Sequence, residues 1–333
     1  MLVLSDVTQY KSLYAALTAA VTIGNFDGCH RGHRCLIDAV HRLAASHAVT
    51  VAMTFAPRPD AHFRSGAAEP LLFTDAQKSR ALREAGLACQ VVQRFDESFA
   101  TQSHTDFYDR YLREALAAVA LVVGYNFRFG RGREGDAAYL AQRARADRVR
   151  FEVGEAALHA GGAISSTRIR ETLRATGDVA AAAAMLGRPY MLEGEIRRGD
   201  QLGRQLGVPT ANLEAVDQLI PRFGVYAGWV QIATRAEPDA PPPLLGRPPG
   251  AIPAVFSLGI RPTLTSQGAP PVRIEAHLLA GHYGADEHYG LRAGYYLTHR
   301  LRDELRFDSL DELKGRMAAD IDEAKRLLAA ERP

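Results

Sequence analysis

The sequence predicts an α/β chain of two domains, a parallel sheet flanked by helices followed by a small antiparallel β-barrel with a terminal helix. Three observations carry this. From Val21 to Ala146 apolar β-type runs alternate with segments of helical period. Beyond Tyr190 short β-type runs separated by glycine turns take over. At 333 residues the chain is also longer than one core usually fills, since single cores stop growing near roughly 250–300 residues.

Residues 21–33, VTIGNFDGCHRGH, organise the first domain. Val21, Thr22 and Ile23 are strand formers, and Gly24 and Gly28 permit a sharp reversal. His30 and His33 lie three apart where a helix begins, so both imidazoles are expected on one face of its first turn. Unpaired N–H groups and the positive dipole end make such a helix start a phosphate site, to which two histidines add donors. The alternatives are a hydrogen-bonded histidine pair or a zinc site, although H-x-x-H lacks a third ligand and Cys29 and Cys35 stand off standard spacing.

The alternation continues down the chain. Leu36, Ile37, Val40 and Leu43 follow at helical spacing, and residues 49–55, VTVAMTF, form the next strand. Pro57 and Pro59 leave a loop at its carboxyl end, where open α/β sheets bind ligands. Helices are expected over 74–86, 106–118 and 136–146, and strands over 89–92 and 119–123. The loop 124–135 holds Gly130, Gly132 and Gly135 in a G-x-G-x-x-G pattern, but a dinucleotide turn starts directly at its strand, and this one starts six residues later. With Arg128, Arg131 and Arg133 it reads instead as a mobile loop over an anionic ligand.

ISSTRIR, residues 164–170, offers three hydroxyls where a helix N-cap needs one, with Arg170 one turn on and able to meet phosphate. Gly177 ends that helix, Asp178 caps an alanine-rich one, and Gly187 with Pro189 ends the domain, giving 1–186 and 187–333.

In the second domain a glycine-rich loop, Gly199 to Gly207, precedes PTAN. Gly203 and Gly207 flank Arg204 and could wrap phosphate, but the chain's four lysines (Lys11, Lys78, Lys314, Lys325) include none for a Walker loop. Thr210 and Asn212 put two hard oxygens on one side of an extended segment, which suits magnesium, although a lone T-x-N is also a plain turn. Strands are expected over 224–232, 255–258, 272–278 and 295–301, with a solvated proline-rich hairpin insertion at 237–253. In VRIEAHL, Glu275 shares the polar face with Arg273 and His277; it is either part of a wet edge or a base. Ser309 and Glu312 form a capping box, and Leu310, Leu313, Met317, Ile321 and Leu328 stripe the last helix.

Composition narrows the partners. Residues 1–186 carry 22 Lys+Arg against 19 Asp+Glu and residues 187–333 carry 18 against 19, so neither half has a nucleic-acid binder's basic excess. No apolar run reaches membrane-spanning length, the start lacks a signal peptide's basic residues, and three cysteines without C-x-x-C suit a reducing compartment. Small-molecule partners and the cytoplasm are therefore expected, with no nucleic acid and no membrane.

GNFDGCHRGH resembles the H-x-G-H motif of the nucleotidylyltransferase superfamily and ISSTRIR its second signature. With TFAPRP and GYNFRFGRGREGD in place, Val21 to Tyr190 resembles the Rossmann-like FMN adenylyltransferase module of bacterial bifunctional riboflavin kinase/FAD synthetases. LGVPTANL, GIRPT, IEAHL and RLRDE make Met191 to Leu328 similar to the riboflavin kinase module. Asn25, Cys29, Ile260 and the segment 282–296 depart from the family pattern.

The resemblance implies two reactions, riboflavin plus ATP giving FMN, and FMN plus ATP giving FAD and pyrophosphate. It implies ATP binding by Gly24, Phe26, Asp27, His30, His33, Ser166, Thr167 and Arg170, with His30, His33 and Arg170 catalytic, and flavin binding by Pro57 and Asn126. In the kinase it implies ATP binding by Gly203, Arg204, Gly207, Thr210 and Asn212, Mg²⁺ on Thr210 and Asn212, and Glu275 as base. Two rivals remain at this point: a nucleotidylyltransferase for another acceptor with a non-catalytic barrel, and a flavin-binding protein without turnover.

Overall fold

The computed structural model describes residues 1–63, 69–198, 210–244, 248–260, 272–280 and 288–331. Gly203, Arg204, Gly207, the RPT of GIRPT and most of 282–290 lie outside the described residues. The chain divides into two compact units, Met1–Ser166 and Thr167–Pro333, ahead of the boundary expected at 186/187.

The first unit runs β1 (Leu2–Leu4), α1 (Val7–Leu13), β2 (Thr18–Ile23), α2 (Arg31–Leu43), β3 (Ala48–Ala56), α3 (Pro59–Phe63), α4 (Asp75–Glu84), β4 (Cys89–Arg94), α5 (Glu97–Ala100) and α6 (His104–Asp106). A π-helix, Phe107–Ala115, continues α6 and leads to β5 (Ala118–Gly124). A small hairpin, β6 (Arg128–Phe129) and β7 (Gly135–Asp136), precedes α7 (Ala137–Ala146), β8 (Arg150–Gly154) and a second hairpin, β9 (Leu158–His159) with β10 (Gly162–Ala163). Six strands pair in parallel in the order β1-β4-β3-β2-β5-β8. Because side chains alternate across a strand, Val21, Ile23, Met53 and Val123 pack on one face against Phe107 and Leu112. Ala20, Ala52 and Val122 pack on the other face with Leu36, Ile37 and Val40 of α2. Both faces are covered, which is why these strands read as continuous apolar runs.

Three expectations are corrected here. The loop after β3 contains α3, whose start at Pro59 exploits a ring that presets a helical φ and an N–H a first turn does not need. The helix expected over 106–118 is π-wound and stops at Ala115, two residues before Ala117 turns left-handed at φ +44°. The loop 124–135 holds a pinned hairpin, with Arg131 N donating to Gln102 O at 2.7 Å.

α8 (Ser166–Ala175) opens at the division between the units. In the second unit α9 (Val179–Leu186), capped by Asp178 and closed by Gly187 at φ +80°, packs on β11 (Tyr190–Arg197) and β16 (Arg292–Arg302). With β12 (Thr210–Glu214), β13 (Gly224–Ile232), β14 (Ile252–Ile260) and β15 (Val272–Leu278) these close a barrel ordered β11-β12-β15-β14-β13-β16. Leu192, Phe256, Ile274, Ala276 and Tyr295 are buried in this unit. The terminal helix, α10 (Leu310–Ala330), is tied to the barrel by Asp320, a buried carboxylate that accepts from Arg302 Nε at 3.0 Å and from Nη2 at 2.6 Å.

Two details differ from the reading of the sequence. At the start of α10, Ser309 caps Glu312 N, but the Glu312 carboxylate accepts from Asp308 N, one residue before the reciprocal partner of a capping box. The proline-rich insertion is also partly interior, since Leu244 is buried and Pro243 O accepts from Tyr296 Oη at 2.5 Å.

Candidate active sites

β2 delivers the chain into a turn built from backbone conformations that side chains seldom adopt. Phe26 at φ +50°, Gly28 at +77° and Cys29 at +39° are all left-handed, and Phe26 is fully buried as the turn's plug. Such conformations persist where surrounding structure holds them, commonly at functional sites. His30 precedes the first turn of α2 as its N-cap rather than lying within it, and its Nδ1 accepts His33 N–H at 3.3 Å. A neutral ring accepting at Nδ1 carries its proton on Nε2, which is thereby a donor. The two imidazoles stack, with centroids 3.7 Å apart. Gly32 leaves room for this stack, since a Cβ there would come 3.2 Å from the His30 ring and press on it.

Asp27 holds the turn in place. Its buried carboxylate accepts from Arg58 Nη1, Leu72 N and Phe73 N, each at 3.0 Å. Its backbone carbonyl accepts from Ser166 Oγ at 2.8 Å, which brings the second sequence signature to the first. Arg58 escaped the sequence reading because it stood in a stretch taken as a loop between two prolines. Thr167 is exposed on α8 and Arg170 is buried one turn on.

A cavity of about 730 Å³ opens beside the histidine turn, reached by Gly24 and Asn25 after β2 and by Asn126 after β5. Its walls are Phe55, Phe95, Phe99, Phe107, Phe127 and Phe129. Phe55, Phe127 and Phe129 belong to the TFAPRP and GYNFRFGRGREGD motifs, whereas Phe95, Phe99 and Phe107 lie outside any motif and meet them only in the fold. Asn126 lines the cavity; Pro57 does not, the nearer proline of that segment being Pro59.

In the barrel, the register pairs Asn212 with Glu275 and Thr210 with His277 across β12 and β15. Glu275 lines two cavities. One, of about 340 Å³, runs between Thr210, Ser257 and His277 of the barrel and Leu313, Met317 and Ile321 of α10. The other, of about 510 Å³, takes in Asn212, Glu214 and Arg273. The Glu275 side chain keeps 22% exposure, with Arg273 Nε 3.9 Å away, so it is open to a substrate. A hydroxyl, an amide oxygen and a carboxylate in adjacent register are hard donors, and this set fits Mg²⁺. Tyr295, unmarked by any motif, donates from Oη to Ala211 O at 2.9 Å, which fixes the residue between Thr210 and Asn212. Burial, and secondarily the Glu275 charge, push its phenol well above the usual range, so it stays a donor.

Comparison with known proteins follows this division. The FAD synthetase family model matches residues 15–168 and the riboflavin kinase model residues 186–328. The bifunctional riboflavin kinase/FMN adenylyltransferase of Escherichia coli (strain K12) is 35% identical over 314 residues, covering 94% of each chain. The Pseudomonas fluorescens protein of the same description is 32% identical over 309 residues, covering 92% of each. A Streptococcus pneumoniae crystal structure described as a macrolide-efflux protein superposes with TM-score 0.83 over 98% of this chain and 99% of that one, and at 24% identity it shares the fold.

Proposed function

The chain belongs to the bifunctional riboflavin kinase/FMN adenylyltransferase family, and from that premise we propose how its residues divide the work. Riboflavin and ATP give FMN in the C-terminal module; FMN and ATP give FAD and pyrophosphate in the N-terminal one.

In the kinase, Glu275 accepts the proton of the ribityl hydroxyl as that oxygen attacks the γ-phosphorus of ATP, the new P–O bond forming while the bond to the leaving ADP breaks. Thr210 and Asn212 would hold Mg²⁺, which would supply charge neutralisation for the transferred phosphoryl group. Tyr295 keeps the strand bearing both ligands in place. Little covalent chemistry falls to the protein, so positioning and charge stabilisation supply most of the rate.

In the adenylyltransferase, the flavin ring occupies the phenylalanine-walled cavity with Asn126 at its mouth. A phosphate oxygen of FMN attacks the α-phosphorus of ATP, the new P–O bond forms and the bond to pyrophosphate breaks. His30 and His33 donate to the phosphate oxygens as charge builds, helped by the N–H groups of α2 and by Ser166, whose hydroxyl already meets the turn; the family resemblance gives Thr167 and Arg170 a role toward ATP as well. Gly24 and Phe26 shape the turn, and Asp27 acts by holding it.

One observation carries this reading: an aromatic-walled cavity of about 730 Å³ is lined by Gly24 and Asn25, which begin the turn that leads to the stacked histidines. The near-neutral charge of both halves and three free thiols fit a cytoplasmic enzyme of small molecules. Chromatography of the flavins after incubating riboflavin with ATP and Mg²⁺ tests it. FMN and then FAD should accumulate, whereas flavin retained without ATP consumption would contradict it.

A further inference from the structure

The flavin cavity carries more charge than a ring site needs. Arg128 and Arg133 both line it, are exposed, and have no carboxylate partner among the described residues. Arg128 Nη1 meets only the Phe127 carbonyl, at 3.1 Å. The one acid of the lining, Asp60, is taken up by Arg58 at 3.2 Å. Two uncompensated guanidinium groups therefore stand on a mainly aromatic slot whose lining includes Gly24 and Asn25 of the histidine turn.

Their placement is built rather than incidental. A Cβ on Gly130, at φ +74°, would lie 2.6 Å from His104 N, and one on Gly135 would lie 2.7 Å from the Phe129 ring, so both arms of the hairpin press on their neighbours. Arg133 is held left-handed at φ +62°, a strained state for a side-chain-bearing residue, and Arg131 N is anchored to Gln102 O.

We propose that Arg128 and Arg133 read the phosphate of FMN and make this site select phosphorylated flavin over riboflavin. This rests on the cavity being the flavin site. The two flavins share ring and chain and differ in one group, which at neutral pH carries about −1.5 to −2 charges. An apolar wall cannot tell them apart. Guanidinium groups that stay unpaired until a phosphate arrives can, because paired donors on a phosphate are charge-assisted and geometrically specific. The same contact keeps riboflavin from occupying the site unproductively.

The test is steady-state FAD formation by Arg128→Met, Arg133→Met and the corresponding Lys variants. KM for FMN is read beside the inhibition constant of lumiflavin, which has the ring without the ribityl chain and cannot be phosphorylated. The Met variants should raise KM for FMN by about tenfold or more and change kcat by less than about threefold, the mark of lost binding. Lumiflavin inhibition should stay constant, and Lys, which keeps the charge but not the paired donors, should restore only part of the loss. An unchanged KM for FMN, or a parallel weakening of lumiflavin, would overturn the assignment. Failure of lumiflavin to compete with FMN in the parent protein would instead overturn the cavity as the flavin site.

Discussion

Asp27 and Arg58 form an ion pair at 3.0 Å with side chains only 4% and 9% exposed, and this pair fastens the histidine turn to the segment after β3. Removing one partner of a buried pair strands the other charge, at a cost of about 3–5 kcal/mol. Arg58→Met should therefore destabilise the first unit by about that amount and depress FAD formation while FMN formation persists. Urea unfolding followed together with both activities checks it; a stability change under about 1 kcal/mol would mean that the pair does not hold the turn.

Gly32→Ala tests the stacked histidines. Alanine favours a helix by about 1 kcal/mol over glycine, so the fold should survive. The added methyl would lie 3.2 Å from the His30 ring and displace it. FAD formation should fall by about tenfold or more with riboflavin phosphorylation intact, since displacing a positioned donor is felt in the rate. Parent-level FAD formation would show that the stack is dispensable.

Where the modules separate is a third question. α9 packs on β11 and β16, and Arg222 N donates to Leu173 O of α8. A fragment beginning at Thr167 should unfold cooperatively and phosphorylate riboflavin. One beginning at Gly187 loses both helices and should melt lower. Equal melting temperatures would place α8 and α9 outside the kinase fold.

The three thiols should differ sharply. Cys35 is exposed, whereas burial pushes Cys89 up to about 12. A raised thiol pKa leaves little thiolate at pH 8, so Cys89 should react with a disulfide reagent only after denaturation, and Cys35→Ser should remove a fast phase. Rapid modification of Cys89 in the folded protein would contradict its burial.

Much of this architecture is legible in the sequence for a physical reason. β2, β3 and β5 are buried on both faces and read as apolar runs, while Thr74, Asp178 and Ser309 cap their helices with their own side chains. The alternation in VRIEAHL located Glu275. What stayed hidden depended on tertiary structure. β1 and α1 are too short to show a period, and the π-helix carries the apolar spacing of an ordinary helix. Arg58 and Tyr295 matter through partners 31 and 84 residues away. Of the cavity's phenylalanines, Phe95, Phe99 and Phe107 likewise join the others only in the fold.

The central claim is that two independent sites share one chain, and a paired flavin analysis of His33→Ala and Glu275→Gln tests it most directly. With riboflavin, ATP and Mg²⁺, His33→Ala should accumulate FMN while FAD formation falls by about 10²–10³. Glu275→Gln should leave riboflavin unconverted yet turn supplied FMN into FAD at the parent rate. If His33→Ala forms no FMN, if Glu275→Gln fails to convert supplied FMN, or if it still phosphorylates riboflavin within a few-fold of the parent, the assignment of one chemistry to each site is wrong.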